Sequence, residues 1–272
     1  MACLAVCFGV WRWAECVLLP ANTSAAQSQG VPIGNNSDLY PRWLGARELL
    51  LHHRDPYSKE VTRDIQRGFY GRPLDPTRRA DPTDQAAFAY PLYVTFLLAP
   101  TVTLPFATVV AIFRWLVLGC IAASVPLWMQ ATGFRARGLA ILCGMVLVLS
   151  SYPAVLEFHM QNLTAVAILL LAASSAALAG NWLRVSGVLL ALATIKPQVS
   201  GLFVVWFMLW ATARWDERKR VLWSFVISWL GLMVAAQLVL PGWVHPFVAA
   251  VVEYSRYATD PNMFGMFFSP LR

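Results

Sequence analysis

The sequence predicts an all-α polytopic membrane protein, with a first transmembrane helix, a long polar loop and a bundle of further apolar helices. Three observations carry that prediction. Hydrophobic residues make up 58% of the 272-residue chain and charged residues only 13%, with a mean hydropathy of +0.56. A soluble domain carries about 25% charged residues. Long apolar runs recur between short basic connections, and 12 Trp, 15 Phe and 8 Tyr suit a chain with two lipid–water interfaces to anchor. This balance excludes an ordinary cytosolic domain, a disordered chain and a small disulfide scaffold.

Residues 1–19 read as the first transmembrane helix, carrying Arg12 and Glu15. A signal peptide would need an early basic region, and Met1 to Trp11 bear no charge. Residues 20–91 form a polar, extracytoplasmic loop with nine Lys/Arg against eight Asp/Glu. Within it, residues 42–52 predict a helix able to lie on the membrane surface, and Asp55-Pro56, Asp75-Pro76 and Asp81-Pro82 mark turns. Residues 92–240 are the helix bundle, with apolar runs near 104–129, 139–156, 163–179, 185–195, 199–213 and 221–240. A bilayer core of about 30 Å takes about 20 apolar residues per helix. Residues 92–103 are too short for that and read as a re-entrant or interfacial segment. The runs at 185–195 and 199–213 are short and broken at Lys196-Pro197, a pattern tolerated where backbone lines a cavity. Residues 241–272 are a final extracytoplasmic segment.

Basic residues fix the orientation. Arg135 and Arg137, then Arg184, then Arg214, Arg218, Lys219 and Arg220 fall in three short connections. Placing all three in the cytoplasm satisfies the positive-inside rule, and puts residues 157–162, 196–198 and the long loop outside. This scatter of charge predicts topology control and no nucleic-acid partner, which would need a basic stripe on a folded face. Cys3, Cys7, Cys16, Cys120 and Cys143 sit in apolar segments without metal or disulfide spacing and read as small hydrophobes. No phosphate-cradling Gly-Lys-Ser/Thr loop, Gly-x-Ser-x-Gly elbow or His-Glu-x-x-His pair occurs. Asn22-Thr23-Ser24 and Asn35-Asn36-Ser37 fit the glycosylation acceptor pattern.

Three groups of residues, and Arg114 beside them, can carry chemistry. Asp38 precedes the predicted loop helix, with Pro41 in its first turn. It is either that helix's N-cap or a carboxylate held at the membrane surface as a general base. The turn Glu157-Phe158-His159-Met160-Gln161-Asn162 joins two apolar runs, and is either a solvated connection or part of a site. Lys196, flanked by apolar runs, either snorkels to the interface or meets a phosphate. Arg114 also falls inside an apolar run, which predicts burial against an acidic group or a phosphate.

The order Asp38-x-Tyr40, Gly45-Ala46, Asp55-Pro56-Tyr57, Tyr90-Pro91, Ala99-Pro100, Leu104-Pro105, Gln161-Asn162 and Lys196-Pro197 resembles glycosyltransferase family 87. Members are polytopic GT-C enzymes that use polyprenyl-phosphate-linked sugars. The likeness spans residues 37–198. The chain departs from the pattern at Leu92, where a second Pro follows Tyr-Pro, and at Met160, where Gly precedes Gln-Asn. It is also shorter than members usually are, which predicts a truncated member.

The resemblance implies a GT-C-type transmembrane helix bundle whose first extracytoplasmic loop contains interfacial helices. It implies an inverting transfer of a hexose, mannose foremost, from a polyprenyl-phosphate donor to a glycan or glycolipid acceptor. The site would face the extracytoplasmic side of the inner or plasma membrane. By this likeness Asp38 is catalytic, and Lys196, Arg114 and Arg42 bind the donor phosphate. Tyr40, Tyr57, Tyr90, His159, Gln161, Asn162 and Gln198 line the substrate. No cofactor is implied beyond the lipid-linked sugar, and no metal site is assigned; the partners are membrane lipid, donor and acceptor. A lipid-linked glycan flippase and a non-catalytic membrane subunit are the other classes this pattern allows.

Overall fold

A computed structural model describes residues 2–18, 20–21, 24, 37–75, 77–78, 81–82 and 84–258. Asn22, Asn35 and Asn36 of the glycosylation patterns, Pro76 of one predicted turn and the end of the last segment lie outside the described residues. Among the described residues every regular element is helical. The chain divides into two compact units, a helical unit of residues 1–10 with 110–239 and a loop unit of residues 11–109 with 240–272.

Helix α1 (Ala2–Trp13) is followed by a π-helical turn, Ala14–Leu18. In the loop unit, α2 (Leu39–His52) and α3 (Lys59–Tyr70) pack together, with a short α4 (Val94–Leu98) and a 3-10 turn (Ala99–Thr101) against α2. Leu39, Trp43, Ala46 and Leu49 of α2 are buried, as are Val61 and Ile65 of α3 and Leu92, Val94 and Leu98. The loop helix thus spends its apolar face on a protein core, with only Leu51 of its leucines strongly exposed. The Trp43 indole donates to the Thr101 carbonyl at 3.1 Å. Ser58 caps α3, its hydroxyl accepting from the Val61 amide at 3.2 Å, and Gly71 ends it at φ 78°. Two ion pairs tie the connection down: Arg54 reaches Glu48 at 2.8 Å and Asp64 at 2.9 Å. Residues 92–103 form only the five-residue α4 and one 3-10 turn, too short to cross a bilayer. Helix α12 (Val244–Ala258) follows a buried Trp243, whose ring meets Tyr93 edge-on at 6.1 Å.

Helix α5 (Phe106–Ala131) starts in the loop unit and runs on in the helical unit, which continues with α6 (Gly138–Leu149), α7 (Tyr152–Met160), α8 (Thr164–Ala179), α9 (Leu183–Ala193), α10 (Pro197–Thr212) and α11 (Trp215–Val239). Helices α5 and α11 are long and apolar enough to cross a membrane; α6 with α7 makes a third span if taken as one, although they bend by 63° at their junction. Helices α8, α9 and α10 hold 16, 11 and 16 residues. At 1.5 Å per residue they reach about 16–24 Å, short of a 30 Å core.

Small residues let these short helices close up. Ser174 and Ser186 are fully buried between α8 and α9, where the Ser174 hydroxyl donates to the Ser186 carbonyl at 2.8 Å. Gly187 lies so near α11 that a Cβ there would stand 2.3 Å from the Val221 carbonyl oxygen. Leu171, Leu190, Phe207, Val221 and Phe225 form the core around this crossing.

Two readings are corrected. Helix α11 begins at Trp215, so Arg218, Lys219 and Arg220 lie on helix, outside the connection. Asp216 and Glu217 in its first turn favour that early start, and pair with Lys219 at 3.6 Å and Arg214 at 3.7 Å. Arg114, expected to be buried, is exposed on α5 with its guanidinium 5.4 Å from the Phe158 ring.

Candidate active site

Each unit gathers part of the predicted residue set. In the loop unit, Asp38 stands at the start of α2 with helical backbone angles, φ −59° and ψ −21°, and its side chain makes no capping bond. A capping carboxylate needs extended backbone to turn back over the first amides. Instead the Ser37 hydroxyl accepts from the Leu39 amide at 3.3 Å. The cap reading of Asp38 therefore falls away.

Arg42 sits one turn on. Its Nη1 donates to the Asp38 carbonyl at 2.5 Å, and its guanidinium lies 4.6 Å from the centre of the Tyr90 ring. Its Nε is buried without a hydrogen-bond partner. Burial alone would weaken the charged form. The acidic groups around it, Tyr90 first, then Asp38, Tyr254 and Asp84, outweigh burial and hold its pKa above the ordinary arginine value.

Tyr57 and Tyr90 are linked: the Tyr57 hydroxyl donates to the Tyr90 carbonyl at 2.7 Å. Burial first, then Asp55 and Tyr93, push the Tyr57 phenol far up, so it stays a neutral donor. Tyr40 is buried, edge-on to Phe106 at 4.9 Å, and its hydroxyl occupies the space a Cβ at Gly68 would need. It reads as packing.

Asp84 escaped the sequence reading. Its carboxylate accepts from the Ala86 amide at 2.9 Å, and its carbonyl accepts from the Tyr70 hydroxyl at 2.8 Å. Ala86 takes φ 49°, a left-handed conformation unusual for a residue with a Cβ. Burial raises the Asp84 pKa and nearby Asp38 adds to this, while the Ala86 amide and Arg42 oppose it. The only hint was a second acid three residues after Asp81-Pro82, which looked like one more loop charge.

The helical unit holds the other group. Lys196, 7% exposed, ends the break between α9 and α10. Its ammonium donates to Asn162 Oδ1 at 2.5 Å and to the Thr164 hydroxyl. Asn162 Oδ1 also accepts from the Thr164 amide at 3.2 Å and hydroxyl at 3.0 Å, closing the start of α8. The expectation that residues 157–162 and 196–198 share one side of the bundle matches this contact. Thr164 was missed, although Asn-x-Thr spacing at a helix start was its signal.

Gln161 is almost fully buried at φ 48°, its amide donating to the carbonyls of Phe158 at 2.5 Å and His159 at 2.6 Å. It closes the end of α7. The His159 ring packs edge-on to Phe158 at 5.2 Å, and Gln198 is exposed in the first turn of α10.

The described residues are all helical where regular, and two of the helices are long and apolar enough to cross a membrane. The model of glycosyltransferase family 87 matches residues 88–272, and the chain belongs to that family. The match takes in Tyr90, Arg114, His159, Gln161, Asn162, Lys196 and Gln198, while Asp38, Tyr40, Arg42 and Tyr57 precede it. No curated protein and no solved structure matches the chain.

Proposed function

We propose that the protein transfers a hexose, mannose foremost, from a polyprenyl-phosphate donor to a glycan or glycolipid acceptor, by a single inverting displacement on the extracytoplasmic side. Family membership supports glycosyl transfer over the flippase and subunit readings. The multi-pass GT-C bundle and its place in the cell membrane belong to the same proposal.

In this reaction an acceptor hydroxyl oxygen bonds to the anomeric carbon as the bond from that carbon to the donor phosphate oxygen breaks. The electron pair leaves with the phosphate, and the hydroxyl proton goes to a base. Asp38 is the proposed base, and the support for that role is its place at the start of α2, where its side chain makes no capping bond and Arg42 stands one turn on. A cation must meet the phosphate as its charge grows. Arg42, one turn from Asp38 with a buried unpartnered Nε, fits that need. Lys196 and Arg114 are assigned phosphate contacts too; the support for Lys196 is a buried ammonium at the break between α9 and α10 that also bonds Asn162 and Thr164. Tyr57 and Tyr90 line the sugar, and no resident cofactor takes part.

The test is transfer from defined polyprenyl-phosphate-mannose to membrane acceptors by the native protein and Asp38→Ala. Transfer by the native protein and its loss in an equally expressed variant supports the reading. Equal transfer by both removes Asp38 from the mechanism, and transfer only from another lipid-linked sugar replaces mannose.

A further inference from the structure

The helical unit has an end opposite Lys196. Helices α5, α8 and α10 finish there, beside Arg135, Arg137, Arg184 and the basic start of α11. Between them lies a cavity of about 600 Å³, its wall mostly apolar and rich in indole: Trp128, Trp206 and Trp210 with Phe203, relieved by Thr132 and Ser175. Thr132 spends its hydroxyl on the Trp128 carbonyl at 2.9 Å.

A cation stacks on one of the lining indoles. The Arg218 guanidinium lies 3.8 Å from the centre of the Trp210 ring and donates to the Trp210 carbonyl at 2.9 Å. Its neighbours Asp216 and Glu217 pair with Lys219 and Arg214, and Arg218 itself makes no carboxylate ion pair among the described residues. A guanidinium carries five N–H donors, so stacking and one carbonyl leave an edge for an anion. An apolar cavity with a cation stacked on one of its indoles, at the basic end of a helical bundle, is complementary to an anionic amphiphile.

We infer that this cavity holds an acyl chain of an anionic phospholipid whose phosphate is bound by Arg218. The site is separate from the residues proposed for sugar transfer, and its test needs no activity.

Native mass spectrometry of the full chain in detergent, with phosphatidylglycerol or phosphatidylcholine of identical chains, reads the inference directly. Phosphatidylglycerol is expected to be retained preferentially. Arg218→Gln is expected to weaken its retention about tenfold, the scale of one charge-assisted hydrogen bond, and Arg220→Gln to leave it unchanged. Ala179→Phe, which narrows the cavity, is expected to weaken retention of both lipids, and Ala131→Phe supplies the same readout should the first variant not be recovered. Glycerol 3-phosphate alone is expected not to be retained. Equal retention of the two lipids, equal loss in both arginine variants, retention of the headgroup alone, or undiminished retention in the narrowed cavity would each overturn it.

Discussion

The Lys196 ammonium and the Asn162 carbonyl oxygen, 34 residues apart in sequence, meet at 2.5 Å. The bond joins the break between α9 and α10 to the start of α8, where the same oxygen also takes two bonds from Thr164. Lys196→Met therefore leaves Asn162 satisfied, and the fold is expected to persist. If the lysine meets the donor phosphate, its loss raises the donor KM about tenfold or more, as for a charge-assisted bond. Initial rates across donor concentration, with a melting curve in detergent as the folding check, measure both.

Asp38→Asn preserves shape and removes the proton acceptor. Transfer is expected to fall about 10²–10⁴-fold, the usual contribution of a positioned general base, with acceptor KM little changed. The helix α2 keeps its start, because Ser37 holds the Leu39 amide. Retained kcat in Asp38→Asn membranes would rule the role out.

Gly187→Ala puts a methyl group 2.3 Å from the Val221 carbonyl oxygen and 2.9 Å from the Phe225 amide. Backbone cannot swing aside as a flexible side chain does, so α9 and α11 must part. Overpacking of this kind costs about 1–3 kcal/mol. A lowered melting temperature is expected in Gly187→Ala, and an ordinary one in Gly231→Ala, where a Cβ meets open space.

The Arg72–Asp81 pair gives the loop unit an acid-sensitive clasp. Arg72 holds both Asp81 oxygens, at 2.8 and 2.5 Å. Those bonds, then the Asp75 amide, depress the Asp81 pKa below the ordinary carboxylate range. Its contribution is full above the unfolded value of about 3.9, and is lost as pH falls through the depressed folded value. Arg72→Gln is expected to lower the melting temperature at neutral pH and to flatten its decline below about pH 4. Parallel curves for variant and native protein would refute this.

Much of the helical framework was legible because apolar runs and breakers are local. The runs at 163–179 and 185–195 and the Lys196-Pro197 break reappear as α8, α9 and the start of α10. What escaped depends on neighbours far along the chain. Arg114 looks buried in an apolar run, yet faces outward on α5, because the run is apolar all round and does not say which side packs. Asp38 looks like a cap until its backbone angles are known. Asp84 became visible only when the strained Ala86 and the Tyr70 hydroxyl fixed its place. Family ancestry was legible from scattered dipeptides at helix ends.

The 63° bend between α6 and α7 has a consequence for the surrounding bilayer. Twelve residues of α6 reach about 18 Å, and nine of α7, tilted by that angle, add about 6 Å along the same direction. A span built this way falls several ångströms short of a 30 Å hydrocarbon layer. Where the pair crosses as one span, lipid meeting it must thin, or the Glu157–Asn162 turn must sit in a dimple below the headgroups. A depression of that kind would admit water and a charged phosphate to a depth the flat bilayer denies them, so membrane thickness itself becomes a variable to which the enzyme's rate should respond.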